Sequence, residues 1–412
     1  MTENTFHTAV SGYGERAAPK PYVLQETDDY AKLLQSKELW PVDVSVEQDW
    51  SGRGQHVEFE DTEQARDEIN RILKFQRSLG TQSTATVQSV KCRRVLLARK
   101  SIICSKRHIT RSEAIDEVVH LTQLRHAHIL RVIGTYVIGK ELSILLYPVA
   151  EYNLESFLDI LHEHVKQTGT AEAYSESHIF DMMTACRQFP LCLANGIAYM
   201  HSKFTKHMDI KPQNLLIKLH PQHADTYRIY VADFGISRSY RDLDASNTDG
   251  PTSFTFKYAA PEVVAQEERG LAADIFSLGC VYYEILEALL SVTGINHRSF
   301  QLQPDTGSVS YQSNIELLHG YLASMSSWLD DFPISGVLPH ITDTELLEVL
   351  RQMLHWDPTK RPSAAKISSV LSSIWPLGPD SCCSEGQVQL EAHVSGWSLY
   401  GPKMFTDLEA ED

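Results

Sequence analysis

The 412-residue sequence predicts an α+β fold, strands first and helices after. Three observations carry that expectation. Apolar runs of strand length, separated by turn residues, crowd between Phe75 and Leu146 with one helical pattern among them. Helix-period apolar faces dominate from Asn153 onwards. Among those helices lies His207-Met208-Asp209-Ile210-Lys211-Pro212-Gln213-Asn214-Leu215-Leu216-Ile217, followed by Val231-Ala232-Asp233-Phe234-Gly235, which sets two acids and an amide on short connections.

The first part reads as follows. Residues 1 to about 60 show no long period, only aromatic islands at Trp40 and Trp50 and a break at Ser51-Gly52-Arg53-Gly54. Residues 1–71 are therefore expected to form an N-terminal extension, partly disordered. Within it, Asp61-Thr62-Glu63-Gln64 resembles a capping box with Asp61 as N-cap, and Ala65, Ile69 and Leu73 continue at helical spacing. From Phe75 the period turns towards strand, and Leu79 to Val87 reads as a hairpin. Leu96 to Ile102 is an apolar strand interrupted by Lys100. Arg111 to Leu124 is a helix with Ala114, Val118, Leu121 and Leu124 on one face and Glu113 and Glu117 one turn apart. Ile129–Val137 and Leu142–Leu146 are two further strands, the second running into Tyr147-Pro148-Val149-Ala150-Glu151.

In the second part, Asn153–Lys166 and Phe180–Ser202 read as helices around a polar stretch. His220-Pro221-Gln222-His223 has two imidazoles without a third ligand, so a hairpin turn is expected there. A Ser/Thr/Asp-rich segment containing Ser246, Thr248, Thr252 and Ser253 leads to Thr255-Phe256-Lys257-Tyr258-Ala259-Ala260-Pro261-Glu262. The most apolar run, Ile275–Val292, carries Glu284 and Glu287, which argues for a buried helix over a membrane span. Residues 374–412, with Trp397, Tyr400 and Phe405, read as a C-terminal tail.

Composition narrows the function. A hydrophobic content of 42% suffices for a sizeable core. The 53 acids outnumber the 37 lysines and arginines, a net charge of −16 that argues against nucleic-acid or anionic-membrane partners. A local basic groove for an acidic peptide stays compatible with it. The seven cysteines are scattered, without metal-ligand spacing, as expected of reduced thiols. The N-terminal MTENTFHTAV lacks the build of a signal peptide, so the expected location is cytoplasmic or nuclear.

Asp209, Asn214 and Asp233 suit phosphoryl transfer, where one acid orients a hydroxyl and accepts its proton while an amide and a second acid hold Mg²⁺. Their order and spacing, with Lys211 between, resemble the eukaryotic protein kinase family, specifically its serine/threonine members. Further along, Thr255 to Glu262 is similar to the close of that family's activation segment, Asp274 to Gly279 to its buried helix, and Arg361 to the arginine that pairs with Glu262. The resemblance covers about residues 72–373.

That resemblance implies a bilobal fold: a small antiparallel β lobe plus one helix over 72–147, and a large, mostly helical lobe over 148–373. It implies ATP and Mg²⁺ as cofactors and a protein substrate offering a Ser or Thr hydroxyl. Asp209 would be the catalytic base, Lys211 would stabilise the γ-phosphate, and Asn214 and Asp233 would bind the metal. Lys100, held by Glu117, would reach the α and β phosphates. Leu79, Gly80 and Val87 would cover the nucleotide, with Ala98, Leu146 and Leu216 around the adenine and backbone groups of Tyr147 and Val149 bonded to it. Leu121, Val132, His207 and Phe234 would stack as a column between the lobes.

Three positions depart from the pattern. Gln82 and Ala85 stand where the second and third glycines of the phosphate loop belong, and Met208 replaces the arginine before the catalytic acid. The glycine-poor loop is the support for a rival reading, a kinase-shaped scaffold without turnover. Met208 cannot neutralise a phosphorylated activation segment as an arginine would, which implies activity without that modification.

Overall fold

A six-stranded sheet and its single long helix form the first lobe, and helices with two small sheets form the second. The computed structural model describes residues 29–37, 50–81, 85–105, 109–168, 177–219, 227–233, 238–239, 255–293, 310–331 and 343–374. The sheet comprises β1 (His56–Phe59), β2 (Leu73–Thr81), β3 (Ala85–Cys92), β4 (Val95–Ile103), β5 (Arg131–Ile138) and β6 (Glu141–Tyr147), in the order β1-β5-β6-β4-β3-β2. β2 to β6 pair antiparallel, whereas β1 lies parallel to β5 with His56 opposite Thr135. Alternation along the strands gives the sheet two buried faces. Ala98 and Leu146 belong to the main core shared with the large lobe, and their neighbours Leu97 and Leu145 to a second cluster.

That second cluster takes in part of the expected N-terminal extension, residues 1–71. Trp50, Val57, Phe59, Ala65 and Ile69 are buried in it, so residues 50–72 complete the small lobe. Gln55 O accepts from Thr135 N at 3.0 Å and from Trp50 Nε1 at 2.9 Å. The strand was missed because His-Val-Glu-Phe is too short to show a period. The cap is also shifted by one residue. Thr62 caps α2 (Glu63–Ile72), its side chain accepting from Ala65 N, while Asp61 pairs with Arg66. Leu73, expected on the helix face, starts β2 instead.

Helix α3 (Arg111–Gln123) carries a capping box between Thr110 and Glu113 and buries Ala114, Val118 and Leu121. In the large lobe, α4 (Leu154–Thr168) follows the short β7 (Tyr152–Asn153), and α5 (Ser177–Ser202) delivers the chain to β8 (Thr205–Lys206). β9 (Leu215–Leu219) and β10 (Tyr227–Val231) form a hairpin flanking the predicted catalytic loop. α6 (Pro261–Val264) precedes α7 (Ala272–Thr293), which is buried from Ala273 to Leu290 on nearly every side, as the apolar run predicts. α8 (Ile315–Asp331), α9 (Asp343–Met353) and α10 (Ala364–Ile374) complete the lobe. No helix among the described residues is long and apolar enough to cross a membrane. The expected hairpin turn at 220–223, the segment from 240 to 254 and the tail from 375 lie outside the described residues.

Candidate active site

The loop after β8 takes its shape from Asp274 at the start of α7. Its Oδ2 accepts from His207 N at 2.8 Å and from His201 Nε2 at 3.0 Å, and its Oδ1 from Met208 N at 2.7 Å. Burial pushes this carboxyl up, but the His201 hydrogen bond and charge, with help from His207 and Met208 N, outweigh it and hold the group below the usual carboxylate range. Met208 consequently sits at φ +70, and its side chain packs against the main core. His207 is fully buried. Asp209 N donates to its Nδ1 at 3.3 Å, and its Nε2 donates to Ala232 O at 2.9 Å.

That shape presents Asp209 to three donors. Asp209 Oδ2 accepts from Lys211 Nζ at 2.6 Å and Asn214 Nδ2 at 3.0 Å, and Oδ1 from Thr255 Oγ1 at 2.6 Å. Lys211 Nζ also donates to Thr255 Oγ1 at 2.8 Å, which closes the network. Asn214 Nδ2 additionally donates to Asp209 O at 2.8 Å. Both amide hydrogens are thereby used, and the amide oxygen is left as the group able to face a cation. Thr255 is held because the segment behind it is pinned to α7. Glu284 accepts from Lys257 Nζ, Tyr258 OH and Tyr311 OH at 2.7, 3.0 and 2.8 Å. Burial first, then the Glu284 charge, pushes both phenols far above their ordinary value.

Beside this network opens a cleft of about 480 Å³ between the lobes. Leu79, Gly80, Val87, Ala98, Lys100, Leu146, Asn214, Leu216 and Asp233 line it, nine of the positions expected there. Lys100 Nζ reaches Asp233 Oδ1 at 2.9 Å. Burial would raise the Asp233 carboxyl, yet the Lys100 charge and hydrogen bond, joined by His207 and Lys211, bring it below the usual range, so it is ionised at neutral pH. Asp233 occupies the left-handed region at φ +62, which a non-glycine residue adopts only when its surroundings require it.

Some expected positions lie away from the cleft wall, and others lie outside the described residues. Tyr147 and Val149 do not line the cleft. Its wall there is Leu146, Pro148 and Ala150, while Tyr147 packs on the second core cluster and Val149 O accepts from Lys218 Nζ at 3.1 Å. An extended chain turns the side chains of alternate residues to opposite sides, whereas the expectation for Tyr147 and Val149 concerned their backbone groups. Ala85 is buried in the core and does not line the cleft. Glu113, the other candidate on α3 beside Glu117, is engaged by Thr110 N and Oγ1 at 2.7 and 2.8 Å. The Glu117 side chain, Gln82, Phe234 and Gly235 lie outside the described residues. Leu121, Val132 and His207, the rest of the expected column, are buried. Sequence reasoning missed Arg77 and Leu130 on the cleft wall, neither of which lies in a motif, and assigned no role to Gln213, which lies in one.

Residues 73–373 match the protein kinase domain family. The chain belongs to that family. Over 276 residues it is 24% identical to Cyclin-dependent kinase E-1 of Arabidopsis thaliana, an alignment covering 61% of this chain and 55% of that protein. The chain thus spans about half the length of that curated relative.

In this kinase domain Asp274 sets a test of its own. An Asp274→Asn variant turns an NH₂ group against one of the backbone donors and loses the anion beside His201, costing about 1–3 kcal/mol. Because the folded-state value of Asp274 is depressed, its contribution is complete above the ordinary carboxylate range and fades as pH falls through the lower value. Urea unfolding at neutral pH and near pH ~3 should show the variant's deficit shrinking in acid. A deficit of equal size at both would sink this account.

Proposed function

We propose that the chain is a serine/threonine protein kinase that transfers the γ-phosphate of ATP to protein hydroxyls. The observation that carries this reading is the closed network of Asp209, Lys211, Asn214 and Thr255 beside a cleft that holds Lys100 against Asp233. A substrate hydroxyl approaching Asp209 meets a carboxylate oriented by three donors, ready to take its proton as the bond to phosphorus forms. Lys211 lies within reach of that carboxylate and supplies positive charge where the transferred group carries negative charge. The side-chain hydroxyl of Thr255 bridges the two, a geometry that suits a serine or threonine acceptor.

The donor set also fits Mg²⁺. An ionised Asp233 and the free oxygen of Asn214 are hard oxygen ligands on one wall of the cleft, matched to a cation bound mainly through phosphates and water. When bound, Mg²⁺ would neutralise phosphate charge and fix its geometry. Lys100 would position the nucleotide phosphates, with Glu117 as its helix partner, and Ala98, Leu146 and Leu216 would enclose the adenine. Catalysis would rest on positioning and charge neutralisation.

Met208 adds a regulatory element. Its thioether packs on the core and offers no charge to a phosphorylated segment, so activity should not depend on phosphorylation between residues 246 and 253. The test is transfer from Mg-ATP to a mixed Ser/Thr peptide library, before and after phosphatase treatment of the enzyme. Equal transfer in both supports the whole reading. Loss after phosphatase removes the Met208 argument alone. No transfer in either, by folded protein on a broad library, favours a scaffold.

A further inference from the structure

Two of the largest fully buried side chains among the described residues, Trp50 and Tyr30, come from the segment before the kinase match. Their burial needs an explanation beyond the fold of the domain itself. Helix α1 (Asp29–Ser36) inserts Tyr30 into the main core, where its hydroxyl meets Thr135 Oγ1 of β5 at 2.5 Å. His56 Nδ1 of β1 meets the same oxygen at 2.8 Å, so both N-terminal elements converge on one threonine. Just past α1, Lys37 pairs with Asp116 on the second turn of α3. At the first turn, Arg111 donates to Gly139 O at 3.0 Å and stands 3.9 Å from Glu58 of β1. Gly139 in turn lies against Asp61, so closely that a Cβ there would fall 2.4 Å from a carboxylate oxygen.

The N-terminal segment therefore grips α3 at both of its first two turns. α3 carries Glu117, the residue after Asp116. In kinases the helix glutamate must be in place against the strand lysine before phosphate transfer proceeds. A contact on Asp116 fixes the height and rotation of the turn that bears Glu117, since neighbouring helix residues are rigidly related. We infer that Tyr30 and Lys37 are positioning residues, through which the chain's own N-terminal segment holds α3 in the arrangement that transfer requires. The inference rests on the kinase reading above and assigns residues 29–37 and 50–72 a role in the reaction beyond completing a sheet.

The test uses the full chain. Tyr30→Ala removes the buried anchor, and Lys37→Glu turns the attraction for Asp116 into repulsion. For Tyr30→Ala, kcat per folded molecule should fall by at least roughly tenfold while the KM for peptide stays within about twofold. Amide hydrogen exchange should rise across residues 111–123 but not in α7. Lys37→Glu should lower kcat by about threefold, as befits a half-exposed pair. The Lys37→Glu/Asp116→Lys double variant should recover it, which lost fold alone would not predict. If Tyr30→Ala fails to fold, the charge reversal and its rescue decide the question. Wild-type protein that transfers phosphate while the variants match it in kcat and in α3 exchange overturns the inference and leaves the kinase reading standing. Wild-type protein that transfers nothing, yet shows α3 loosened in the variants, removes the kinase reading and with it the catalytic role, leaving only the mechanical grip.

Discussion

Asp209→Asn reduces phosphate transfer by roughly 10²–10⁴-fold, the range for loss of a positioned general base, without abolishing nucleotide binding. The carboxylate accepts from Lys211, Asn214 and Thr255 with both of its oxygens. An amide keeps one acceptor oxygen and sets an NH₂ group against at least one of those donors. It also has no useful affinity for the substrate proton. Asp209 is not among the residues lining the cleft, so Mg-ATP affinity should change little. Transfer to peptide and nucleotide titration, run on the same preparation, check the two halves together. A variant that retained more than a tenth of the wild-type rate would remove Asp209 from the role of base. One that lost nucleotide as well as transfer would point to a collapsed loop.

Arg361→Ala should be the most destabilising single change in the large lobe. The arginine side chain is fully buried and grips Glu262 through both oxygens, at 2.7 and 2.8 Å. It also donates to the carbonyls of His355, Ala272 and Trp356, and its guanidinium lies 5.1 Å from the centre of the Phe276 ring. Truncation leaves a carboxylate buried with no counter-charge, which costs roughly 3–5 kcal/mol. Against a total stability of about 5–15 kcal/mol, that is a large share. Glu262 follows Pro261 at the start of α6, immediately after the segment that holds Thr255, so the damage should reach the catalytic network too. Chemical denaturation measures the loss, and a value below about 1 kcal/mol would show the pair to be dispensable. Replacing both partners by apolar residues of similar volume should cost less than removing either, because no isolated charge remains.

Much of the candidate site was legible from residue order. Phosphate transfer needs a base, an amide, a metal acid and a lysine in a fixed arrangement, and local chain geometry supplies most of it. Asp209, Lys211 and Asn214 are brought together within one loop and one helical turn, so their spacing along the chain already implies their meeting. The apolar run of α7 likewise announced a buried helix, and Arg361 and Glu262 announced each other through the motifs around them.

Other features depended on partners far along the chain. Which residues near the end of β6 meet the cleft followed from its pairing, which sets Leu146 opposite Ala98 of β4 and Val132 of β5. Most of all, the first helix and first strand could not be read. α1 and β1 are short, and His56 and Tyr30 find their common partner Thr135 only 79 and 105 residues later. Short elements carry too little period to identify themselves, and their stability comes from the surface that receives them. The sequence by itself thus determined the chemistry and the order of its parts. Only the tertiary structure decided which surface holds α3, because that depends on burial between segments that have no local signal for one another.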